Sequence, residues 1–295
     1  MPLISVVIPA YNAASFLVES LNSLAIQTFR DFEVVLVDDG SSDGTAEIAH
    51  RFSGVLRLRV LVNAQNSGVA ASLNRGISES DSLFIARLDA DDLAHPDRLT
   101  QQAAFLEESP DVDLCGTHML MFKDGDVSPS AVHEHPTSDA SIKTMLLQHC
   151  ALSHPSILMR RSFVDDVGQY DPACDFVEDY DLWCRGALIG KRYANLEAHL
   201  TSYRVHPAQV GQSKSKLQCE RDLGVKNRYM SALLGGMSPG YLPALFSPLV
   251  RFETRDAATQ ALAESTNVLM ALGRVAPDPV VYAEILKNCI YRNLK

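Results

Sequence analysis

The chain has 295 residues, 46% of them hydrophobic, which is enough for one large α/β domain with additional elements or for two small domains. Its formal net charge of −10 argues against general attraction to nucleic acid or to anionic lipid. No apolar run approaches the roughly 20 residues that span a bilayer, and six scattered cysteines without a C-x-x-C pair argue against a zinc ribbon or a disulfide framework, so we expect a reduced, cytoplasmic protein.

The first hundred residues alternate apolar, β-branched runs with helical patterns, which is typical of a parallel sheet covered by helices. The N-terminal segment lacks a basic region and a small-residue cleavage site, and it is predicted to be the first strand. Predicted strands are 4–8, 32–37, 58–62 and 83–88, with helices at 14–26, 45–52 and 69–78. Each strand ends in polar or small residues, and in a doubly wound sheet such ends gather along one edge, where ligands bind.

Beyond Pro96 the alternation fades, and a second section begins with an exposed stretch at 123–136. The predicted elements are a helix at 97–107, a strand at 113–116, a helix at 139–148, a strand at 156–159, a helix at 179–188 and β-like runs at 192–196 and 200–205. From Ser213 onward the pattern is helical, in about three segments. The last of these, 280–294, is typical of a packing helix, with a membrane-surface anchor as the alternative.

Clustered carboxylates follow the fourth predicted strand, in the run Leu88-Asp89-Ala90-Asp91-Asp92. Residues two apart on an extended segment share a face, so Asp89 and Asp91 can both point into a crevice at the carboxyl edge of the sheet. Such carboxylates repel one another unless a metal ion or protons neutralise them, and hard oxygen ligands suit Mg²⁺ or Mn²⁺. The same acids are also compatible with an ordinary Asp-rich turn.

Two further clusters follow the first and second strands. Pro9-Ala10-Tyr11-Asn12 offers a rigid turn, a ring on which a base could stack and an amide, although a Tyr at a strand end is also a common packing residue. In Asp38-Asp39, a carboxylate can accept a hydrogen bond from a base or a ribose. The alternative is helix capping before the helix near residue 45; both can hold, with Asp39 free for ligand.

Acids also precede the single Trp of the chain, in Glu178-Asp179-Tyr180-Asp181-Leu182-Trp183. Acids in the first turn of a helix are favoured by its macrodipole, whereas a carboxylate facing the crevice could serve as a general base. The last predicted strand ends in Arg204 and His206, a cation and an imidazole that could meet a diphosphate and a metal respectively.

In this order, the clusters resemble those of family 2 glycosyltransferases of the GT-A fold, inverting enzymes that use nucleotide-diphosphate sugars. The likeness covers roughly residues 5–206 and leaves out the helical tail. The motifs that carry it are Val7-Ile8-Pro9-Ala10-Tyr11-Asn12, Gln27-Thr28-Phe29, Val37-Asp38-Asp39-Gly40-Ser41-Ser42-Asp43-Gly44-Thr45, Asn66-Ser67-Gly68, Leu88-Asp89-Ala90-Asp91-Asp92, Pro96-Asp97-Arg98-Leu99 and Glu178-Asp179-Tyr180-Asp181-Leu182-Trp183.

The resemblance implies a Rossmann-like GT-A fold, in which a mostly parallel central sheet is flanked by helices and followed by a helical C-terminal extension. It implies a transferase domain over 1–212, with a nucleotide-binding half at 1–110 and an acceptor-binding half at 111–212. Residues 213–295 then form a helical C-terminal region.

The resemblance also assigns roles to individual residues. Asp179 matches the catalytic base, with Glu178 and Trp183 on the acceptor side, and Asp91 and His206 match metal-site residues. Asp39 matches a residue that accepts from the uracil ring N–H. The other positions matching the nucleotide or donor site are Pro9, Ala10, Tyr11, Asn12, Asp38, Asn66, Gly68, Arg87, Asp89 and Ala90.

The implied activity is transfer of a sugar from a UDP-sugar or related donor to a carbohydrate or glycolipid acceptor, assisted by Mn²⁺ or Mg²⁺. The implied setting is bacterial cell-surface polysaccharide or glycoconjugate synthesis, with peripheral contact at the inner face of the membrane. The chain lacks the Q-x-x-R-W motif of processive synthases, which favours single addition.

Three other functions compete with this hypothesis. A sugar nucleotidyltransferase normally has a Gly-rich, basic loop after the first strand, which Pro9-Ala10-Tyr11-Asn12 is not. A catalytically silent nucleotide-sugar binding protein is disfavoured by the intact acids at Asp89, Asp91 and Asp179. A dehydrogenase is disfavoured because no G-x-G-x-x-G follows any predicted strand.

Overall fold

The computed structural model describes residues 1–124, 129–206 and 215–294. Its strands form one sheet in the order β3-β2-β1-β4-β8-β6-β9-β5, with β7 paired to β6. The strands are β1 (Ile4–Ala10), β2 (Phe32–Asp38), β3 (Leu58–Val62), β4 (Phe84–Arg87), β5 (Leu93–Ala94), β6 (Leu114–Lys123), β7 (Ala131–His133), β8 (Leu158–Arg160) and β9 (Tyr193–Val205).

The sheet has a parallel half and a mixed half. Strands β3, β2, β1 and β4 are parallel neighbours, as the βαβ pattern of the first hundred residues predicts. Beyond them, β8 runs antiparallel to both β4 and β6, while β6 and β9 are parallel. The predicted α/β architecture is therefore confirmed, and its all-parallel part is the N-terminal half.

Helices cover both faces of the sheet. In the first two hundred residues they are α1 (Leu17–Ala25), α2 (Thr45–His50), α3 (Val69–Ser78), α4 (Arg98–Glu108), α5 (Asp139–Met145), α6 (Arg161–Val167) and α7 (Glu178–Leu188). The tail adds α8 (Ser215–Leu233), α9 (Leu242–Phe246), α10 (Arg255–Glu264), α11 (Thr266–Val275) and α12 (Pro279–Leu294). Two 3₁₀ turns, His154–Ser156 and Pro172–Cys174, precede β8 and α7.

Alternation along the strands divides the buried apolar residues into two cores. Val7 and Ile85 face a core that continues through α3, α5 and α7 into the tail, whereas Val6 and Ile8 face a core built with α1, α2 and α4. The tail is thus part of the first core and packs directly on the element that carries Glu178 and Asp179.

Several predicted elements differ from the structure. The runs 192–196 and 200–205 form the single strand β9, with a register irregularity opposite Thr117 and His118. The short strand at 113–116 extends to Lys123, and α6 was not predicted. The tail contains five helices among the described residues rather than three segments.

The stretch 123–136 is only partly exposed. Residues 125–128 lie outside the described residues, Ala131–His133 is an exposed strand, and His135 is buried with its Nε2 at 2.6 Å from Ser153 Oγ. Across the described parts of the chain, no helix combines the length and apolar character that crossing a membrane requires. The six cysteines are free thiols.

Candidate active site

The candidate site lies where β1, β2 and β4 end. Because these strands are parallel neighbours, Ala10 is paired with Asp38, and Val7 is paired with Arg87 one strand over. The segments after the strands therefore start side by side at the carboxyl edge of the sheet. Arg98 fixes the backbone at this edge. Its buried guanidinium donates to the carbonyls of Arg87 at 2.7 Å and Ile157 at 3.1 Å.

Three carboxylates form a compact cluster after β4. Asp89, Asp91 and Asp92 each offer an oxygen within 4.8 Å of the others. The side chains of Asp89 and Asp91 are 28% and 25% exposed, so they face the surface crevice. Asp92 is fully buried, accepts the Arg204 backbone N–H at 2.9 Å through Oδ1, and has no hydrogen-bond partner for its buried Oδ2.

The three carboxylates of this cluster repel one another when they are ionised. Burial raises the pKa of Asp91, and the negative charge of Asp89 raises it further, against the opposing hydrogen bond with His206. Burial and the charges of Asp89 and Asp91 raise the pKa of Asp92 well above its ordinary value. A cation at the cluster would relieve this repulsion.

The structure also brings His206 to the acids. Antiparallel pairing of β5 with β9 aligns Leu93 with Ser202, so that the end of β9 lies beside the segment after β4. As a result His206 Nε2 is 2.9 Å from Asp91 Oδ2. The two residues are 115 apart in sequence, and their proximity is what the sequence-based assignment of both to a metal site requires.

The residues present fit a divalent metal. Carboxylate oxygens with one imidazole are a donor set that suits Mn²⁺ and Mg²⁺. The unpartnered Oδ2 of Asp92 is a buried acceptor that a nearby cation would stabilise. A second cluster, Asp171, Cys174 and Asp181, does not fit one. Its Asp181 is already neutralised by Arg185 at 2.7 Å and Arg228 at 2.6 Å.

Arg204 does not occupy the diphosphate position that the sequence suggested. It is buried and donates to Glu19 at 2.6 Å, to Asp124 at 2.7 Å and to the Asp91 carbonyl at 2.9 Å. Because its guanidinium is engaged with two carboxylates and stacked between Phe16 and Phe122, it orders the acidic segment from behind.

The segment after β1 is open to solvent. Tyr11 is 53% exposed, which suits a stacking platform better than a packing residue, whereas Ala10 is buried and Pro9 is half-buried. Asn12 has a φ of 50° and is held by Ser41, whose Oγ accepts the Asn12 N–H at 2.9 Å.

Asp38 and Asp39 differ from the expectation that Asp39 is free for a ligand. Both are buried, and Asp38 accepts the Ser41 N–H at 3.1 Å. Asp39 accepts the N–H groups of Ser67 and Gly68 at 2.9 Å each, together with the Asn63 amide at 2.6 Å. Its oxygens therefore order the segment before α3, and a base could use only the acceptor capacity that these three donors leave on the carboxylate.

That segment exposes Asn66 and turns sharply at Gly68. Gly68 has a φ of 92°, and a Cβ at this position would collide with the carboxylate of Asp175. Asp175 in turn accepts the Ala70 N–H at 3.1 Å, so it caps α3 from a distant part of the chain. The segment before α3 is thereby joined to the segment that leads into Glu178.

Arg87 connects the acidic cluster with α7. It is buried and forms a salt bridge with Asp89, and its Nε has no hydrogen-bond partner. Burial lowers the pKa of Arg87, but the Asp89 carboxylate outweighs this effect and raises it overall. The positive charge also lowers the pKa of both Glu178 and Asp179, so it acts on both sets of acids.

The two acids that open α7 have different environments. Burial and the neighbouring Asp179 raise the pKa of Glu178 to about 8, and its buried Oε2 has no partner. Burial also raises the pKa of Asp179, although its Oδ1 accepts the Tyr180 N–H at 2.7 Å. The thiol of Cys150 lies 3.5 Å from Asp179 Oδ2 and stays protonated, because burial and Asp179 raise its pKa.

Trp183 cannot contact an acceptor directly. Its side chain is fully buried and packs against Phe163 and His154, with ring centroids 5.9 and 6.0 Å away. The expectation that Trp183 borders the acceptor is corrected to an indirect contribution through packing. Ala90 is also buried, so only its backbone is available at the site.

Sequence reasoning omitted several residues that the structure places here. Cys150, His154, Tyr170 and Asp175 surround Glu178 and Asp179 or connect them to α3. The only available indication was position, since Asp175 precedes Glu178 by three residues and His154 opens a Pro-containing turn. Their partners are distant in sequence, which no local pattern encodes.

Known structures share this fold. The chain matches the crystal structure of S. aureus TarS 1–349 in complex with UDP-GlcNAc at a TM-score of 0.67 and 21% identity, covering 98% of this chain and 91% of that one. It matches the mannosyltransferase PcManGT from Pyrobaculum calidifontis, in complex with GDP-Man and Mn²⁺, at a TM-score of 0.61 and 17% identity, covering 98% and 80%. The fold is therefore of the GT-A glycosyltransferase class.

Sequence comparison gives the family. The model of glycosyl transferase family 2 matches residues 5–168, and the chain belongs to this family of enzymes. It is 33% identical over 207 residues to the putative glycosyltransferase EpsE of Bacillus subtilis, covering 69% of this chain and 73% of that protein. It covers only 32% of the bifunctional glycosyltransferase pgtA of Dictyostelium discoideum, at 27% identity and 67% of its own length.

Proposed function

We propose that the chain transfers a sugar from a nucleotide-diphosphate donor, a UDP-sugar, to an acceptor hydroxyl with inversion at the anomeric carbon. The observation that carries the proposal is the placement of Arg87. Its guanidinium is bonded to Asp89 in the acidic cluster, and its charge acts on Glu178 and Asp179. A cation-binding cluster and a candidate base are thus parts of a single polar site.

In the proposed reaction Asp179 accepts the proton of the acceptor hydroxyl through Oδ2, the oxygen near Cys150. The acceptor oxygen forms a bond to the anomeric carbon while the sugar–phosphate bond breaks, and the nucleoside diphosphate leaves with the electron pair. The raised pKa of Asp179 brings it closer to the range in which a carboxylate is an effective base.

Asp91, His206 and Asp89 would hold a divalent metal ion, with Asp92 behind them. When bound, such an ion supplies positive charge that offsets the charge of the diphosphate leaving group. Arg204 keeps the segment in place through the Asp91 carbonyl at 2.9 Å and through its N–H to Asp92.

Buried polar atoms without partners support a sugar-binding role. Arg87 Nε and Glu178 Oε2 are a donor and an acceptor in the same charged neighbourhood. Leaving such atoms unpaired costs about 1–3 kcal/mol each, so a polar ligand that satisfies them binds with that advantage. Sugar hydroxyls, which both donate and accept, suit this combination.

The proposal further specifies uridine as the nucleoside of the sugar donor. The structural neighbour TarS was solved with UDP-GlcNAc, and exposed Tyr11 offers a face for a base. The other neighbour holds GDP-Man, so guanosine is the competing donor base.

Calorimetry with UDP and GDP, in the presence of Mn²⁺ or of EDTA, tests the cation and the base together. We expect UDP to bind more tightly than GDP, and only with the metal. Asp91→Asn should weaken metal-dependent UDP binding about 10-fold or more, whereas Asp111→Asn, at an exposed ion pair with Arg192, should not. Equal UDP binding with Mn²⁺ and with EDTA would contradict the proposal.

We propose that residues 1–212 are the transferase unit and that the tail 213–295 contacts the inner face of a membrane carrying a glycolipid acceptor. The tail has eleven Lys and Arg against seven Asp and Glu, whereas 1–212 has fifteen against twenty-nine. Exposed Val280 and Ile290 add apolar area on α12. We expect the chain to float with anionic vesicles but not with neutral ones. A chain that floats with neither would contradict the proposed membrane contact.

A further inference from the structure

A buried pair of side chains, His154 and Tyr170, lies behind Glu178. His154 opens the 3₁₀ turn before β8, and Tyr170 lies between α6 and the turn before α7. Both side chains are buried, although imidazole and phenol are polar. Neither is among the metal-binding or base positions described above, so the cost of burying them calls for a structural reason.

Their contacts form a chain that ends at Glu178. The Tyr170 hydroxyl is 2.9 Å from His154 Nε2, and the other ring nitrogen, Nδ1, is 3.6 Å from Glu178 Oε1. The Tyr170 backbone is fixed by Asn74, which accepts its N–H at 3.0 Å and donates to its carbonyl at 2.8 Å. Trp183 lies edge-on to the imidazole, with ring centroids 6.0 Å apart.

The imidazole can serve Glu178 in both of its protonation states. Burial, and then the charge of Arg87, hold the pKa of His154 well below its ordinary value, so the ring is neutral and has one N–H. With that proton on Nδ1, the ring donates to an ionised Glu178; with it on Nε2, bare Nδ1 accepts from a protonated Glu178. The Tyr170 hydroxyl, both donor and acceptor, complements either tautomer.

We propose that His154 and Tyr170 are positioning residues that keep the Glu178 carboxyl group in one orientation whether or not it is protonated, so that Oε2, buried and unpartnered in this structure, keeps the position in which a substrate hydroxyl would meet it. In this structure the two atoms are 3.6 Å apart, which is longer than a hydrogen bond, and the proposal requires them to approach when substrate occupies the site. This inference rests on the proposed function only for what Oε2 contacts.

Burial has the largest effect on the pKa of Glu178. The charged and titratable groups that act on it include Asp179 on the same helix, Arg87 on β4, Asp175 in the preceding segment, His154 and the Tyr170 phenol. Asp179 and Asp175 favour the protonated form and Arg87 the ionised form, so Glu178 titrates within an accessible pH range. Because burial and Arg87 keep His154 neutral, the proposal predicts that its tautomer changes with that titration.

The ¹⁵N shifts of the His154 ring test the inference without any turnover. Recorded from about pH 6 to about pH 9 on the full chain, they should change from the Nε2–H to the Nδ1–H pattern, with the signal assigned by its loss in His154→Gln. In Glu178→Gln the change should disappear. Shifts that do not respond to pH in the wild-type chain would overturn the inference.

The rate at which UDP is released from UDP-GlcNAc tests the effect of the positioning residues on activity. Tyr170→Phe should lower kcat/KM about 10-fold, mainly in kcat, while Tyr193→Phe, which removes another buried hydroxyl bonded to the Trp183 carbonyl at 2.7 Å, should stay within about 2-fold. Equal activity of the two variants would overturn the positioning role. If the wild-type chain releases no UDP while the tautomer change is present, the proposed function fails and the positioning role of His154 and Tyr170 stands.

Discussion

Two aspartates on one turn of α7 show how neighbouring residues acquire different chemistry. Asp181 is held by Arg185 and Arg228, which satisfy and neutralise it. Asp179, two residues earlier, accepts the Tyr180 N–H and contacts the Cys150 thiol, and no salt bridge to it is found among the described residues, so its Oδ2 retains capacity to take a proton. Composition alone would not distinguish the two, because the difference comes from partners on other elements.

Replacing Asp179 separates binding from turnover. Asp179→Asn keeps the shape of the side chain and the hydrogen bond with Tyr180 but removes the proposed base, so we expect turnover to fall by about 10²-fold or more and the Kd for UDP with Mn²⁺ to change less than about 2-fold. Steady-state kinetics and calorimetry measure the two quantities. Asp179→Asn with wild-type turnover would identify a different base.

Glu178 makes stability depend on pH in a predictable direction. Its carboxyl titrates near 8 in the folded chain and near 4.5 when unfolded, so between these values the folded state binds more protons. The contribution of Glu178 therefore favours folding at low pH and declines as pH rises through this range, by up to about 1.4 kcal/mol per unit.

Urea unfolding at about pH 5.5 and about pH 7.5 measures this effect. Because Glu178→Gln cannot titrate, its stability should fall less over this interval than that of the wild-type chain. A parallel decline in both proteins would show that Glu178 titrates alike in the folded and unfolded states.

At the scale of elements, the turn at Gly68 joins the two halves of the site. Gly68→Ala places a Cβ at positive φ against Asp175, which caps α3, and we expect a loss of about 1–3 kcal/mol in the free energy of unfolding. Gly54→Ala is the matched control, because no atom lies within 4 Å of its Cβ, and it should change stability by less than about 0.5 kcal/mol. Similar urea midpoints for both variants would contradict this account.

Local pattern predicted much of the fold of the first hundred residues. Helix α3 and strand β3 have the bounds expected from hydrophobic periodicity: α3 buries one face of a regular repeat, and β3 is partly buried at Leu58, Val60 and Leu61. The acids after β4 were found because they follow a strand end. Two-residue strand β5 and the joining of two runs into β9 were missed, since they depend on pairing between residues about one hundred positions apart.

The site was less predictable than the fold. The sequence identified Asp39 as polar and well placed, but not that Ser67, Gly68 and Asn63 already bond to it. Trp183 was assigned by its position in a motif, and burial in the core overrides that assignment. In both cases tertiary contacts decide what a side chain can reach.

For the whole molecule, the tail completes one of the two cores. Arg228 bonds to Asp181 at 2.6 Å, buried Lys226 lies 5.0 Å from the centroid of the Tyr180 ring, and the Tyr229 hydroxyl donates to the Lys143 carbonyl at 3.0 Å. The tail thus covers α5 and α7, including the helix that begins with Glu178 and Asp179.

A chain ending at residue 206 should therefore lose cooperative folding. Removing α8 exposes apolar residues of α5 and α7 and leaves Asp181 with one arginine, so we expect dye binding typical of exposed apolar surface and no sharp thermal transition. Differential scanning calorimetry of both lengths measures this. A truncated chain that melts cooperatively within about 5 °C of the full chain would show that the tail is dispensable.

The pairing of β5 with β9 has a consequence for exchanging parts between relatives. Asp91 belongs to the first half of the chain and His206 to the second, and this short ladder aligns them together with the bonds from Arg204 to Asp91 and Asp92. A chimaera that receives residues 111–212 from another member of the family also receives that relative's residue at position 206, whether or not it is a histidine. Under the proposed function, any preference between Mn²⁺ and Mg²⁺ would then be inherited with residues 111–212, separately from the aspartates of the recipient.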